Sequence, residues 1–314
     1  MSRKIAASIV CYKAATSVRA LISALEAQTR ALDSILIIDN SPAGSGLEQE
    51  ELPARCSLVS FPENPGMADA LATSTAWAKE HMCDDLWLFD QDSRPNPAAL
   101  ATLLEARAQL ERDGLQVAVV ACEMIETGTA QRLNGFNWTG KQFEKVQPQA
   151  TSTPFACDAV LHSGSLVQLA QVDEADLPNS KMFIDAVDFE FCHRLTLRGF
   201  GIYVVPGAIL QHTLGEKTTV RVPWKSGFKT YFHLSPLRIY CICRNYTWLE
   251  FKYSKCSAWP SILVARIKHC LYFSMGSLFG SKTPWRGICA AFLGTLLGIL
   301  GPTFWRRQPH FKRN

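Results

Sequence analysis

Two aspartates at the end of an apolar run are the residues best placed for chemistry. The segment Asp90-Gln91-Asp92-Ser93 directly follows the run Leu86–Phe89. In an extended chain, residues two apart point to the same side, so both carboxylates converge on one point beyond the predicted strand. Two hard oxygen donors at such a point suit Mg²⁺ or Mn²⁺ bound together with diphosphate oxygens. A D-x-D pair alone is a weak signal, and its position after the apolar run is what favours a site.

Asp39 and His212 each follow another predicted strand. A carboxylate at the tip of the run Ile35–Ile38 can bind a ribose hydroxyl or a base N–H. The structural alternative for Asp39 is a turn cap, because Asp-Asn-Ser is a common turn sequence. A lone histidine such as His212 is more often structural than a ligand. On the residues alone, both interpretations stay open at both positions.

A third acidic cluster lies in residues 183–195, FIDAVDFEFCHRL. Asp185 and Asp188 share a helical face because they are three apart, and Glu190 and Arg194 have the spacing of an i,i+4 ion pair. The structural interpretation makes the two aspartates first-turn residues that the helix dipole favours. The functional interpretation makes one of them a general base.

Apolar runs and helical spacing predict the elements that hold these residues. Strand and helix patterns alternate over the N-terminal part, which predicts an α/β fold with a parallel sheet covered by helices on both faces. Ligands of such sheets bind beyond the carboxyl ends of the strands. The predicted strands are Ile5–Cys11, Ser34–Ile38, Leu58–Phe61, Leu86–Phe89 and Val117–Cys122, with helices over 18–25, 66–79 and 96–112.

The following segment is less regular. Residues 124–150 are polar and contain three glycines, which indicates irregular or hairpin structure. Two more strands are predicted at 159–162 and 202–205. A helix between them ends near Arg198, with Gly199 as its C-cap.

Composition excludes several classes of protein and divides the chain in two. With 47% hydrophobic and 19% charged residues, the 314-residue chain is neither disordered nor fully membrane-embedded. The net charge of +4 conceals a division: residues 1–214 hold 16 Lys and Arg against 26 Asp and Glu, whereas residues 215–314 hold 16 against 2. From Ser257 onward the chain is strongly apolar as well as basic, and we expect an α/β domain over residues 1–250 and a basic, apolar helical region over residues 251–314.

The apolar runs of the basic region favour lipid over nucleic acid as a partner. Nineteen uncharged residues separate Arg286 from Arg306, just enough to span a bilayer. Several glycines and Pro302 make a poor spanning helix. The flanking side chains suit a helix lying in an anionic membrane surface: Trp285, Trp305, Arg306, Arg307, Lys312 and Arg313. The alternative is a hydrophobic helix that packs on the rest of the protein.

The cysteines indicate a reducing compartment. There are eleven, scattered along the chain, and none forms a CxxC pair. Metal-ribbon spacing is therefore missing from the sequence, and a disulfide framework is not expected in a chain this long.

Taken together, the motifs resemble the family-2 glycosyltransferases with a GT-A nucleotide-sugar fold. The resemblance covers residues 5–250 and begins with SIVCYK at 8–13, IIDNS at 37–41 and ENPGMA at 63–68. The forms LFDQDS, HSGSL, FIDAVDFEFCHRL and PGAILQH, followed by SPLRIY and Arg244-Asn245, are similar to bacterial rhamnosyltransferases more narrowly. Two departures stand out. Cys11 and Lys13 replace the family's usual Thr and Asn, and Val187-Asp188 replaces its Glu-Asp pair.

This resemblance implies an inverting, metal-dependent sugar transfer. The donor would be dTDP-rhamnose and the acceptor a lipid-linked saccharide of bacterial surface-polysaccharide synthesis. The enzyme would then be peripheral, on the cytoplasmic side of the inner membrane. Arg244 or Lys217 would meet phosphate. The other implied roles are Asp188 as the base, Tyr12, Asp39, Asn64, Asp90 and Asp92 as donor-binding residues, and Asp90, Asp92 and His212 as ligands of Mg²⁺ or Mn²⁺.

Competing functions are distinguished by particular residues. Another donor, such as galactofuranose or an N-acetylhexosamine, stays open within the family. A nucleotidyltransferase is disfavoured because residues 8–16 lack the glycine-rich basic loop of that group. A non-catalytic membrane scaffold would not need all of Asp90, Asp92, Asp188 and His212. The GSLFGSKT segment at 276–283 lacks the second glycine of a P-loop.

Overall fold

The computed structural model describes residues 3–128, 131–146, 151–212, 217–221, 228–232, 234–281 and 283–304. Their helices are α1 Ala15–Glu26, α2 Met67–Glu80, α3 Ala99–Arg112, α4 Val187–Leu197, α5 Pro236–Tyr253, α6 Trp259–Gly280 and α7 Pro284–Leu300. Their strands are β1 Ile5–Cys11, β2 Ser34–Asp39, β3 Cys56–Ser60, β4 Asp85–Asp90, β5 Arg94–Pro95, β6 Val117–Glu126, β7 Arg132–Leu133, β8 Phe136–Trp138, β9 Phe143–Lys145, β10 Phe155–Cys157, β11 Ser165–Gln168, β12 Gly201–His212, β13 Lys217–Arg221 and β14 Phe228–Phe232.

A mixed, mainly parallel sheet lies at the centre of the α/β part. Its strand order is β10-β12-β6-β11-β4-β1-β2-β3, with β5 paired to β12 and β7 to β6. β3, β2, β1 and β4 are parallel to one another, as predicted, and β6 is parallel to β12. The expectation of a parallel sheet is wrong at β11, which runs antiparallel to both β4 and β6. An antiparallel neighbour needs no crossover helix, so helix–strand alternation did not indicate it.

The predicted elements of the N-terminal part are present with small shifts in their bounds. β1 matches its prediction, because seven buried residues in a row form a strand covered on both faces. α3 begins at Ala99 rather than Asn96, and Asn96 instead accepts a turn hydrogen bond from the Ala99 N–H at 3.0 Å. α4 ends at Leu197, before Gly199 at a φ of +90°, in agreement with the expected stop.

Contacts divide the chain into two compact units. The first comprises Met1–Asn137, Glu144–Ser180 and Asp188–Thr213, and the second comprises Trp138–Phe143, Lys181–Val187 and Leu214–Asn314. The boundary expected at residue 250 falls inside α5. All eleven cysteines are free, in agreement with the reading of their spacing.

The second unit is built on α5, α6 and α7. Its described core contains Ile239, Ile242, Cys243, Cys270, Phe273 and Ala291. α7 ends at Leu300 because Gly301, at a φ of +81°, and Pro302 follow it. The apolar run predicted to reach Trp305 is therefore shorter as a helix. Residues 305–314, with the basic end of the chain, lie outside the described residues. In the described part of the chain, every helix falls short of the combined length and hydropathy that crossing a membrane needs.

Candidate active site

The carboxyl ends of β1, β2 and β4 meet at one edge of the sheet. Val10 is the register partner of Asp90, and Cys11 is the partner of Asp39. The residues that follow these strands therefore begin at the same level. This is the edge at which open α/β sheets bind ligands. The structure brings Tyr12, Asp39 and Asp90 to this edge, as the sequence predicted.

Hydrogen bonds tie the loops at this edge together. The Tyr12 N–H donates to Gln91 Oε1 at 2.7 Å, which links the loop after β1 to the D-x-D segment. The Lys13 N–H donates to Ser41 Oγ at 2.7 Å, which links it to the loop after β2. Lys13 has a φ of +56°, a left-handed conformation that a lysine adopts at some cost. The two bonds hold that loop in place.

Asp39 organises the loop that follows β2. Its side chain is buried and accepts hydrogen bonds from the Ser41 N–H at 2.9 Å and the Ser45 N–H at 2.8 Å. Burial raises the pKa of this carboxyl, but the bonds from Ser41 and Ser45 outweigh burial and leave the pKa below its ordinary value. The turn-forming role is therefore present, and the predicted contact with ribose or base stays a prediction.

Asn64 lies in the turn before α2. Its N–H donates to the Phe61 carbonyl at 2.9 Å, and its φ is +49°, in the left-handed region that Asn tolerates better than most residues. Gly66, at a φ of +94°, precedes the first turn of the helix, where backbone N–H groups are left for a ligand or water. A role of Asn64 in donor binding stays a prediction.

The side chains of Asp92 and His212 lie close together although they are distant in the sequence. Ser93, the residue after Asp92, is 119 positions from His212. Asp92 Oδ1 lies 3.4 Å from His212 Nδ1, which also lies 3.0 Å from Ser93 Oγ. The pairing of β12 with β5, with Gln211 opposite Arg94, brings the histidine to this position. Burial raises the pKa of Asp92, Asp90 adds to the rise, and His212 opposes it.

The predicted metal ligands are brought together only in part. Within the described residues, no group of three His, Cys, Asp or Glu side chains is arranged to hold a metal ion. Asp92 and His212 supply one carboxylate and one imidazole, and Asp90 does not join them in a closed set. The pair fits a divalent ion that takes its other ligands from water and phosphate oxygens, as Mg²⁺ commonly does.

Ser163 connects this pair to the backbone of the D-x-D segment, and the sequence analysis did not identify it as a site residue. Its hydroxyl accepts from the Asp90 N–H at 3.1 Å and shares a 2.5 Å hydrogen bond with Ser93 Oγ. The next residue, Gly164, has a φ of +84°, and a Cβ there would lie 2.8 Å from Leu210 Cδ2. The available signal was the small polar run Ser163-Gly164-Ser165 beside the apolar Leu166.

Asp188 is the second residue of α4. Its carboxylate accepts from the Phe189 N–H at 3.0 Å and from the His162 N–H at 3.3 Å. Because α4 begins at Val187, Asp185 precedes the helix, and the expectation that the two aspartates share a helical face is wrong. The expected Glu190–Arg194 ion pair is confirmed at 2.7 Å.

His162 lies between the candidate base and the D-x-D segment. Its backbone contacts Asp188, and its neighbour Ser163 contacts Asp90. The imidazole is buried, and Nε2 has no hydrogen-bond partner among the described residues. Burial lowers the pKa of His162, with Asp90 opposing, so the ring is neutral at pH 7. A neutral, unfilled hydrogen-bonding atom at this place suits a sugar hydroxyl.

Arg244 has a structural role, and its expected contact with phosphate stays a prediction. It is buried, and its guanidinium donates to the Lys181 carbonyl at 2.7 Å and the Met182 carbonyl at 3.0 Å. The Lys217 side chain lies outside what the structure describes.

Comparison with known proteins identifies the family. The family model "Glycosyl transferase family 2" matches residues 7–160, which contain most of β1, all of β2 to β4 and the D-x-D segment. This part of the chain belongs to glycosyl transferase family 2. The resemblance found in the motifs is therefore confirmed. The matched residues of this glycosyltransferase include the polar residues at the carboxyl ends of β1, β2 and β4.

Two curated relatives cover most of the glycosyltransferase. The dTDP-rhamnosyl transferase RfbF of Shigella flexneri is 22% identical over 239 residues, 74% of this chain and 78% of the relative. The galactofuranosyltransferase GlfT1 of Mycobacterium tuberculosis is 25% identical over 223 residues, 69% of this chain and 72% of the relative.

Solved structures share the fold of this glycosyltransferase. The structure of S. aureus TarS 1-349 aligns with a TM-score of 0.53 at 14% identity, covering 93% of this chain and 81% of that one. GalNAc-T7, solved with UDP, GalNAc and Mn²⁺, aligns with a TM-score of 0.56 at 14% identity. That alignment covers 79% of this chain, which spans about half, 47%, of the length of GalNAc-T7.

Proposed function

We propose that this glycosyltransferase moves L-rhamnose from dTDP-rhamnose to a saccharide acceptor with inversion at the anomeric carbon. One observation carries the assignment of the site: the adjacent residues His162 and Ser163 contact Asp188 on one side and Asp90 on the other. A candidate base and a candidate diphosphate site are thereby joined by two consecutive residues. This is the arrangement that direct transfer between two bound sugars requires.

In the proposed reaction, Asp188 takes the proton from an acceptor hydroxyl as that oxygen attacks the anomeric carbon. The backbone N–H groups of His162 and Phe189 fix the orientation of its carboxylate. The bond to the diphosphate breaks as the new glycosidic bond forms, and the nucleoside diphosphate leaves. No covalent intermediate with the protein is needed, because the acceptor oxygen attacks the anomeric carbon directly.

The residues for the donor lie at the same edge of the sheet. We assign Tyr12, Asp39 and Asn64 to the nucleotide, and Asp90 and Asp92 to the diphosphate. Asp92 and His212 would hold Mg²⁺ or Mn²⁺, with Asp90 nearby. When bound, the ion offsets the charge that develops on the leaving diphosphate.

The sugar is assigned from the relatives. The motifs after the D-x-D segment and the similarity to RfbF favour dTDP-rhamnose. Galactofuranose is the second candidate, because GlfT1 is similar over nearly the same share of the chain. An N-acetylhexosamine is the third.

We assign the acceptor to the lipid-linked saccharides of bacterial surface-polysaccharide synthesis. The enzyme would then work on the cytoplasmic side of the inner membrane as a peripheral protein. In this proposal residues 1–250 form the GT-A domain and residues 251–314 the membrane-associating region. The abundance of Lys and Arg after residue 214, with apolar helices among them, supports the assignment.

A donor screen tests the proposal. Purified protein is incubated with dTDP-rhamnose, UDP-galactofuranose or UDP-N-acetylglucosamine, together with a membrane lipid extract as acceptor, and release of the nucleoside diphosphate is measured. We expect release from dTDP-rhamnose, loss of release in excess EDTA, and recovery with Mg²⁺ or Mn²⁺. Release from UDP-galactofuranose alone would assign the second donor. Full activity in EDTA would reject the metal assignment, and no release from any donor would favour a scaffold.

A further inference from the structure

α7 carries a row of large apolar side chains that face solvent. Trp285, Phe292, Leu293, Leu296, Ile299 and Leu300 are all exposed, with Leu296 at 54%. Their spacing of three, four and seven residues puts them on one side of the helix. A single exposed leucine is ordinary, but a continuous row is not.

The opposite side of α7 is made of small residues. Gly287, Ala291, Gly294 and Gly298 are buried there. A Cβ on Gly294 would lie 2.5 Å from the Tyr240 carbonyl oxygen, and one on Gly298 would lie 2.5 Å from that of Arg244. This side is therefore in close contact with α5. The packing of the helix is complete without the large apolar side chains, which leaves them for another partner.

α6 extends the same kind of surface. Val264, Ile267, Leu271 and Leu278 are exposed and follow helical spacing. Together with the six exposed residues of α7 they form what we call the apolar face of α6 and α7.

The charges around this face have one sign. Lys268 lies four residues after Val264, at the margin of the exposed row of α6, and Arg286 lies beside Trp285 on α7; both are exposed. The described residues 236–304 contain one acidic residue, Glu250, which is buried with its Oε2 2.9 Å from Arg266 Nε. The exposed charges beside the apolar face on α6 and α7 are thus positive, and the described residues of α5, α6 and α7 include no exposed carboxylate.

We propose that the apolar face of α6 and α7 docks on the surface of a bilayer that contains anionic lipid. Exposed tryptophan and basic side chains beside large apolar ones are the composition of interfacial helices. A second copy of the chain is a poorer occupant, because its identical face would bring positive charges together. α7 lies flat in this arrangement, since its small-residue side stays packed on α5. The proposal rests on the membrane association in the proposed function and deepens it by naming the side chains and the lipid charge that carry it.

Vesicle flotation tests the docking surface. The full-length chain is mixed with phosphatidylethanolamine–phosphatidylglycerol vesicles or with phosphatidylcholine vesicles, at about 0.1 M and about 0.5 M salt. We expect binding to the anionic vesicles that weakens at high salt, and weaker binding to phosphatidylcholine. The double substitution Leu293→Glu with Leu296→Glu is expected to reduce partitioning at least about tenfold, because two charges replace apolar groups that the bilayer would bury.

A matched control and two further measurements keep the result interpretable. Leu197, the last residue of α4, is 65% exposed and lies outside the apolar face. The variant Leu197→Glu adds one charge there, and we expect it to bind vesicles like the unaltered chain. Near-ultraviolet circular dichroism and nucleoside-diphosphate binding show that each variant is folded. Equal vesicle binding by the double variant, or no binding by the unaltered chain, overturns the proposal. The proposal is also overturned if light scattering shows that the unaltered chain is a dimer, the double substitution dissociates this dimer, and the chain does not bind vesicles.

The test separates docking from catalysis. Flotation needs neither donor nor acceptor, and transfer to a water-soluble saccharide needs no membrane. Loss of vesicle binding with intact transfer to a soluble acceptor in the double variant supports the docking surface. Vesicle binding by a chain that transfers no sugar would leave the surface standing and reject the proposed function.

Discussion

The carboxylates of this glycosyltransferase differ in what their hydrogen bonds leave for a ligand. Asp39 is buried and each of its oxygens already accepts one hydrogen bond from its own loop, so only the remaining lone pairs are left for the nucleotide that we assign to it. Asp188 is half-buried at the start of α4, and Asp92 is partly exposed beside His212. The sequence placed all three at strand or helix ends. It did not distinguish the loop-forming aspartate from the others, because that depends on burial.

Asp188→Asn tests the assignment of the base. The amide keeps the size of the side chain but does not accept the acceptor's proton, so we expect transfer to fall about 10²- to 10⁴-fold. Nucleoside-diphosphate affinity, measured by calorimetry, is expected to stay unchanged. Asp185→Asn is the matched control, since Asp185 pairs with Arg238 at 3.1 Å outside the helix, and it should retain transfer. Near-normal turnover by Asp188→Asn would exclude this residue as the base.

Ser163→Ala tests whether the hydrogen bond between Ser163 Oγ and Ser93 Oγ helps to position Ser93 beside His212. Removal of one hydrogen bond in such a network costs about 0.5–1.5 kcal/mol, or a factor of about 2–10. We expect the affinity for Mn²⁺ in the presence of nucleoside diphosphate, measured by titration calorimetry, to weaken by that factor. Ser165→Ala removes a neighbouring hydroxyl that donates to the Leu161 carbonyl instead. Equal weakening by both variants would indicate a general loss of structure and not a positioning role.

Among the elements, regular patterns were predictable and irregular connections were not. β1 and β4 are continuous apolar runs, and α7 is an apolar run between Pro284 and Gly301. The antiparallel β11 depends on contacts between distant segments, which no local pattern encodes.

The loop before α4 is a second feature without a sequence signal. Phe183, Asp185 and Ala186 all have φ near +60°, although none is a glycine. Asn245 Nδ2 donates to the carbonyls of Met182, Ile184 and Asp185, each at 2.9 Å. Left-handed residues of this kind are costly and persist only when their surroundings hold them. The Arg244-Asn245 motif was visible in the sequence, but its partners were not.

Gly294→Ala tests the close packing of α7 on α5. A Cβ there would meet the Tyr240 carbonyl oxygen, which is backbone and moves only with the helix. We expect a loss of about 1–3 kcal/mol in the free energy of unfolding, measured by urea denaturation. Gly280→Ala is the control, because a Cβ at that position has no atom within 4 Å. Equal stability of the two variants would contradict the packing argument.

At the scale of the whole molecule, most of the acidic residues and the basic, apolar helices fall in different compact units. The carboxylates of the candidate site lie in the first compact unit, and the basic, apolar helices lie in the second. The change in charge after residue 214 coincides with the start of the long C-terminal part of the second unit, whereas the domain boundary expected at residue 250 lies inside that unit. The interleaving of the units along the chain was not predictable, since residues 138–143 and 181–187 join the second unit from within the first.

Glu250→Gln tests how the buried carboxyl of the second unit affects stability. Burial raises the pKa of Glu250 to about 7, against the charge of Arg266, whereas the unfolded chain has the ordinary, lower value. Between these two pKa values the folded state holds more protons, so stability falls as pH rises through this window. We expect the substitution to remove roughly 1–3 kcal/mol of that fall, seen as a flatter dependence of Tm on pH between about 5 and 7. Parallel Tm profiles for the two proteins would contradict it.

The two ends of β4 carry two kinds of carboxylate. Asp85, at the start, is buried between Arg3 and Arg107, and Asp90, at the end, begins the D-x-D segment. The two lie about 17 Å apart along an extended strand. Under the proposed function, the loops that meet the donor can therefore be exchanged at one edge of the sheet while the anchoring ion pairs at the other edge stay untouched.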